Sequence, residues 1–147
     1  MSGIIRFLFP LGSDSARESW LLLAARIVFG GMFMWHGLLK LASFDALWST
    51  FPDPLGIGSG ASLLLDIFAE VLCSAGFIVG ALYRLALIPM ACTMCVAIFA
   101  VHAGEPFAVC EPALIYLVIF VLMYIAGAGR FSLDYMIARS YEKEKSI

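Results

Sequence analysis

The amino-acid sequence predicts an all-α integral membrane protein, folded as an antiparallel four-helix bundle. Of its 147 residues, 63% are hydrophobic and only 14% are charged, whereas a soluble domain has about 25% charged residues. Four apolar stretches, each long enough to cross a bilayer core of about 30 Å, follow one another with short loops between them. The net charge of −2, without a basic block, argues against nucleic acid as a partner and for a lipid bilayer.

The helix boundaries follow from the places where apolar residues give way to glycine, proline and charge. We expect a single domain over residues 1–147, because no second unit or repeat is evident. The predicted membrane-spanning helices are residues 20–42, 62–82, 85–102 and 112–128. Beyond them, the pattern from Phe131 onward predicts a short amphipathic helix. The first eleven residues, interrupted by Arg6 and Pro10, predict an uncleaved interfacial segment.

The loops differ in their basic residues, and this difference predicts the orientation. The first loop (43–61) and the third loop (103–111) contain no Lys or Arg, whereas both termini contain several and the second loop contains Arg84. Under the positive-inside rule, both termini then lie in the cytoplasm. Within the first loop, the Pro- and Gly-rich run 51–60 predicts an ordered cap rather than a linker.

Ionisable residues occur within the apolar stretches, where they are costly and need partners. They are Arg26, His36, Lys40, Asp66, Glu70 and His102. Arg26, Gly30, Phe33, Gly37 and Lys40 recur with spacings of four and three, which places them on one helix face. At about 1.5 Å per residue, Asp66 falls in the same layer as His36, and Glu70 lies roughly 9 Å above Arg26 along the membrane normal, a gap that two long side chains could close. We therefore expect Arg26 to pair with Glu70, and Asp66 to lie near His36 or Lys40.

Two interpretations of this polar cluster remain open. In the first, the charges form a buried ion network that fixes the helix register. In the second, they line a polar pocket in the outer half of the bundle, capped by residues 51–60, that binds a small ligand or moves protons. The pocket would be lined by His36, Lys40, Asp66, Glu70 and His102. The apolar fourth helix would form its wall, with Tyr116 as a hydrogen-bonding group.

The cysteines are a second feature with chemical potential. Cys92 and Cys95 form a C-x-x-C pair inside the third stretch. In mid-helix such a pair packs as small apolar residues or serves as redox thiols, although a reactive dithiol usually lies at a helix N-terminus. The four cysteines have no accompanying His-rich spacing, so no metal site is predicted.

Several short motifs, taken in order, resemble the DoxX family. They are R-x₃-G-G-x₅-G-x₂-K-L (Arg26 to Leu41), F-A-E (Phe68 to Glu70), A-I-F-x-V-H (Ala97 to His102) and G-x-G-R-F-S-L-D (Gly127 to Asp134). The resemblance implies a small four-helix bundle of the inner (cytoplasmic) membrane. By position it also implies a set of polar family residues, namely Arg26, Lys40, Glu70 and His102.

The same resemblance suggests a function, because the family includes a subunit of thiosulfate:quinone oxidoreductases and members tied to thiol redox balance. It implies a redox-linked subunit that binds a quinone or a small sulfur compound. Whether the chain is itself catalytic stays open, and no catalytic residue is assigned. The alternatives are a non-catalytic membrane partner or assembly subunit, associated with another protein or with copies of itself, and a small proton-coupled exporter.

Overall fold

The computed structural model describes residues 15–144, and within this range all regular structure is helical, with no strand. We number the helices in chain order: α1 Ala16–Ala42, α2 Phe44–Leu47, α3 Ser59–Val79, α4 Tyr83–Val101, α5 Phe107–Ala126 and α6 Leu133–Glu144. The predicted interfacial segment at the N-terminus lies outside the described residues.

Four of these helices are long and apolar enough to cross a membrane. Helices α1, α3, α4 and α5 contain 27, 21, 19 and 20 residues, and their mean hydropathy lies between 1.5 and 2.3. At about 1.5 Å per residue, even the shortest reaches roughly 28 Å. The four predicted spans are thus present, and the predicted C-terminal helix is present as α6.

The boundaries differ from the prediction where turn residues were misjudged. Helix α3 ends at Val79 rather than 82, because Gly80 and Leu82 adopt left-handed backbone conformations, with φ of 74° and 47°. Helix α5 begins at Phe107 rather than 112, because Pro106 forms its N-cap. Pro112 therefore lies inside the helix, one turn later than expected.

Helices α1 and α3 pack closely through glycine. A Cβ atom on Gly37 would lie 2.7 Å from the Glu70 Cβ, and one on Gly30 would lie 2.6 Å from Ile78 Cγ1. Residue numbers fall along α3 as they rise along α1, so the two helices run in opposite directions. The buried face of α1 comprises Ser19, Arg26, Gly30, Phe33 and Gly37, which contains most of the predicted face.

Aromatic side chains join the other helices to this pair. The Phe120 ring of α5 lies 5.0 Å from Phe33 and 6.0 Å from Phe77, centroid to centroid. Phe77 in turn stacks on Tyr83 at 5.4 Å. All four rings are buried, so the aromatic core connects α1, α3, α4 and α5.

The C-terminal segment is fastened to the turn between α3 and α4. Arg26, which is completely buried, donates a hydrogen bond to the Phe131 carbonyl. The Asp134 carboxylate accepts hydrogen bonds from the backbone N–H groups of Leu82 and Tyr83, each at 2.8 Å. The Asp134 N–H donates to the Gly80 carbonyl at 2.9 Å. We call this arrangement the C-terminal clasp.

Candidate functional site

A cavity of about 570 Å³ lies between α3 and α4, beside Lys40 of α1. The loop between α2 and α3 covers one end of it, and we call that end of the protein the loop end. Most of the wall is apolar, formed by side chains such as Leu55, Leu65, Phe68 and Val101. Such a cavity is large enough for a small ligand and has the mixed lining that ligand sites share.

The charged side of the cavity is formed by Lys40, Asp66 and Glu70, which we call the triad. Lys40 donates a hydrogen bond to Asp66 Oδ2, and its Nζ lies 2.8 Å from Glu70 Oε2. Among the described residues, no donor is aligned for a hydrogen bond to the buried Glu70 Oε2, so the second contact lacks hydrogen-bond geometry. It is an ion pair, and that oxygen still has capacity to accept a hydrogen bond.

Burial increases along the triad from Lys40 to Glu70. The side chains of Lys40, Asp66 and Glu70 are 28%, 13% and 4% exposed. Asp66 and Glu70 lie one turn apart on the same face of α3, which is why a single ammonium group on α1 reaches both. The glycine at position 37 supports this contact, since it lets the backbone of α1 approach Glu70 directly.

Two π-helical segments contribute to the cavity. The segment Phe68–Cys73 of α3 carries Glu70, and the segment Ala97–Val101 ends α4. In the second segment, the His102 N–H donates to the Ala97 carbonyl at 2.9 Å, five residues back. Short π-helical insertions occur frequently at functional sites, because they redirect side chains that a regular helix would place elsewhere.

The loop that covers the cavity is ordered by Asp53. Its carboxylate accepts hydrogen bonds from the N–H of Gly58 at 2.8 Å, the N–H of Ile57 at 3.0 Å and the hydroxyl of Ser62 at 2.9 Å. These bonds, chiefly that from Gly58, hold the pKa of Asp53 below its usual value of 3.8. Phe51 extends over the triad, with its ring centroid 5.8 Å from Lys40 Nζ.

One side of the cavity reaches the apolar surface of the helices. Leu65, Phe68 and Cys92 line the cavity and are also exposed. All three belong to helices long and apolar enough to cross a membrane. The cavity therefore reaches the surface that lipid would cover, between α3 and α4, and it also reaches the exposed loop end at Leu55 and Ile57.

The structure brings together four of the six predicted polar residues. Lys40, Asp66, Glu70 and His102 line the cavity, and Asp66 meets Lys40, one of its two expected partners. His36 is exposed and does not line the cavity. It faces Tyr116 instead, ring edge to ring face, with 6.3 Å between centroids.

The predicted pair of Arg26 with Glu70 is wrong. Arg26 belongs to the C-terminal clasp, beside Gly80, ten residues or roughly 15 Å along α3 from Glu70. Its partner is the Phe131 carbonyl, and Glu70 meets Lys40. The register between α1 and α3 sets this outcome, since Gly37 rather than Arg26 faces Glu70.

The predicted wall is also wrong, because α5 contributes no residue to the cavity lining. Helix α5 packs against the aromatic core through Phe120, and α4 forms the wall instead. The lining residues from α4 that the sequence did not suggest include Pro89 and Thr93. A proline inside an apolar span was the available signal, because it marks an irregular helix.

All four cysteines are free thiols in the structure. Cys92 is exposed and lines the cavity, whereas Cys95 is half-buried and lies outside the lining. In the part of the chain that the structure describes, no group of three or more His, Cys, Asp or Glu residues could hold a metal ion.

These features define the class of the protein, which is a multi-pass helical membrane protein with a charged cavity among its spans. The DoxX family model matches residues 21–103, which is more than half of the chain, and the chain belongs to the DoxX family. No curated protein and no solved structure matches the chain. Every residue that lines the cavity lies within the matched range, whereas the motif at 127–134 lies beyond it.

Proposed function

We propose that this protein binds a lipophilic small molecule of the quinone type in the cavity, as a redox-linked subunit of the inner membrane. The observation that carries the proposal is a cavity of about 570 Å³ with apolar walls, a charged triad at one side and an opening to the surface that lipid would cover. A molecule dissolved in the bilayer would reach such an opening directly. Its ring would lie against the apolar wall and its polar headgroup beside the triad.

The triad favours a neutral ligand over a small anionic sulfur compound. Two carboxylates and one ammonium carry a formal charge of −1, and burial strengthens electrostatic interactions. An anion such as thiosulfate would be repelled by Asp66 and Glu70 and would lose its hydration among apolar walls. Among the ligands suggested by the family resemblance, a quinone fits this environment better.

Lys40 is the group best suited to hold the headgroup. An ammonium has three N–H donors; one of them binds Asp66, and the contact with Glu70 is an ion pair. A donor that Asp66 does not occupy would bind a quinone carbonyl. His102, which lines the same cavity, would provide a second polar contact near the loop end.

For the orientation we infer an antiparallel bundle with both termini in the cytoplasm. The loops at 43–58 and 102–106 contain no Lys or Arg, while the turn at Arg84 and both termini are basic. This orientation places the loop end, and with it the triad, in the outer half of the membrane.

Binding of decylubiquinone to the purified protein tests the proposal. A ligand that binds only the folded state raises the melting temperature, with about 2.7 kcal/mol of stabilisation at one hundred times Kd. We expect this rise in the wild type and its loss in Ala97→Trp, which fills the cavity. Ala100→Trp is the matched control, because Ala100 lies on the same helix, is exposed and does not line the cavity.

Other outcomes would contradict the proposal and point to the alternatives. Equal melting-temperature rises in Ala97→Trp and Ala100→Trp would place binding elsewhere. A response to thiosulfate instead of decylubiquinone would favour the small sulfur compound. Copurification with a partner protein and no response to either compound would favour a non-catalytic assembly subunit.

A further inference from the structure

We propose that the polar face of α3 is a proton path, which connects water at the loop end with the triad inside the cavity. The inference rests on the proposed function, because it assigns to the same cavity a ligand whose binding is coupled to a proton. Three residues of the path, Ser62, Asp66 and Glu70, follow one another at intervals of four and therefore share one helix face. All three line the cavity.

The path begins at an exposed carboxylate and ends at a buried one. Asp53 is exposed, and it accepts a hydrogen bond from the Ser62 hydroxyl at 2.9 Å. Asp66 follows one turn deeper, about 6 Å along the axis, a gap that one cavity water would bridge. Lys40 then links Asp66 with Glu70. Each step joins groups that can donate or accept a proton.

The charge of the triad explains why it would hold an exchangeable proton. With both carboxylates ionised, a single ammonium leaves one negative charge uncompensated within an apolar wall. Burial disfavours an uncompensated charge, and two carboxylates close together disfavour joint ionisation. One additional proton, shared between Asp66 and Glu70, makes the triad neutral.

The groups that surround Glu70 do not remove this excess charge. On α1 it faces Lys40, and on α3 it faces Asp66. His102 of α4 lines the same cavity, and Tyr116 of α5 interacts electrostatically with Glu70. Among the described residues, the Tyr116 hydroxyl is buried without a hydrogen-bond partner. Lys40 is the cation that pairs with both acids.

The charge balance also predicts the direction of coupling. A quinone carbonyl that accepts a hydrogen bond from Lys40 draws the ammonium away from the two carboxylates. The carboxylates then retain their proton more strongly, so binding favours proton uptake. By linkage, the affinity for a quinone falls as pH rises, by up to about tenfold per pH unit for one proton.

Infrared spectroscopy of the full-length protein in detergent tests the stored proton without any ligand. We expect the carbonyl stretch of a protonated carboxylic acid at neutral pH. Glu70→Gln and Asp66→Asn should each abolish it, since removal of either acid leaves one carboxylate and one ammonium. Glu105→Gln, which changes an exposed acid outside the cavity lining, should retain it. If Glu70→Gln does not fold, Asp66→Asn supplies the same comparison.

The exchange of this band in D₂O tests the path. Ser62→Ala should slow its shift at least several-fold, whereas Ser74→Ala, at a buried position of α3 outside the cavity lining, should not. An unchanged rate in Ser62→Ala would overturn the path, and absence of the band in the wild type would overturn the stored proton.

Decylubiquinone affinity that does not depend on pH would overturn the coupling alone. Conversely, a band without decylubiquinone binding would contradict the proposed function and leave the proton path intact.

Discussion

Lys40 illustrates how one side chain can hold a site together inside a membrane protein. It compensates two acids on the neighbouring helix, and the more deeply buried of them, Glu70, is only 4% exposed at its side chain. Without the ammonium, both carboxylates would remain in apolar surroundings without a cation. The structural contribution of Lys40 is therefore larger than that of a surface lysine, whose ion pairs contribute roughly 0–1 kcal/mol.

Replacement of Lys40 should consequently destabilise the protein at neutral pH. Removing one partner of a buried ion pair costs about 3–5 kcal/mol, so we expect Lys40→Met to lower the melting temperature markedly. Arg139→Met, at an exposed position on α6, is the control, and an equal effect of the two substitutions would contradict the structural role of Lys40.

The sequence was sufficient to predict which charged residues form the site, but only some of the pairs that they make. Charged groups within apolar spans indicated Lys40, Asp66 and Glu70, because such groups require partners. The partner of Glu70 was not predictable, since it depends on how far α1 is shifted along α3. In the structure Gly37 faces Glu70, and Arg26 lies eleven residues before Gly37, or roughly 16 Å along the helix axis. Lys40 lies only three residues after Gly37, so it becomes the basic partner of Glu70.

At the scale of the helices, the contact between α1 and α3 depends on the absence of side chains at two positions. Gly37 lies against Glu70 and Val71, and Gly30 lies against Phe77 and Ile78. The sequence spacing indicated this face correctly. Which glycine would meet the acid followed from the register and could be seen only in the structure.

Alanine substitutions at the packed Gly37 and at the exposed Gly31 should change the stability of the protein in opposite directions. A Cβ atom at Gly37 would lie 2.7 Å from both Glu70 Cβ and Val71 Cγ2, whereas at Gly31 it would meet nothing within 4 Å. Gly31→Ala should raise stability by roughly 0.5–1 kcal/mol through helix propensity. Gly37→Ala should lower it and weaken decylubiquinone binding, because the triad moves. Thermal unfolding measures both, and a stabilised Gly37→Ala would contradict the close contact.

The loop over the cavity should depend on the ionisation of Asp53. The pKa of Asp53 is lowered in the folded state. The ionised carboxylate therefore stabilises the loop at pH values above its usual pKa of 3.8, and this stabilisation is lost as the pH falls below about 3.8. Trp48 reports on the loop, because it packs directly against Gly60.

Emission from Trp48, measured in a Trp20→Phe, Trp35→Phe background, should therefore stay constant between neutral pH and about pH 5 and shift only in stronger acid. Asp53→Asn should show the shifted emission already at neutral pH, whereas Asp45→Asn, at an exposed position in α2, should not. An Asp53→Asn variant with wild-type emission throughout would show that the loop does not depend on this carboxylate.

For the molecule as a whole, composition and apolar length were enough to predict four membrane-spanning helices, and an amphipathic pattern predicted the C-terminal helix. The start of α5 was not predictable from polarity, because Cys110 and Glu111 interrupt the apolar pattern although both lie within the helix. The cavity wall was misjudged for a related reason. An apolar helix offers the same pattern whether it faces a ligand, a neighbouring helix or lipid, so only packing distinguishes α4 from α5.

Labelling with a membrane-impermeant maleimide tests the proposed orientation in intact cells. In a background without native cysteines, Leu55→Cys, at an exposed position of the loop end, should react from outside. Ser140→Cys, which is exposed on α6, should react only after the membrane is permeabilised. The reverse pattern would invert the orientation and place the triad in the inner half of the membrane.

The C-terminal clasp has a consequence for the order in which the protein is made. Arg26 and its hydrogen-bonding partner, the Phe131 carbonyl, are 105 residues apart. During synthesis, the guanidinium of the first span is therefore complete long before the ribosome reaches the segment that satisfies it. Until then the basic residue must remain hydrated near the membrane surface or be shielded by the insertion machinery. The loop after α5 thus completes the interior of α1, which is synthesised well before it.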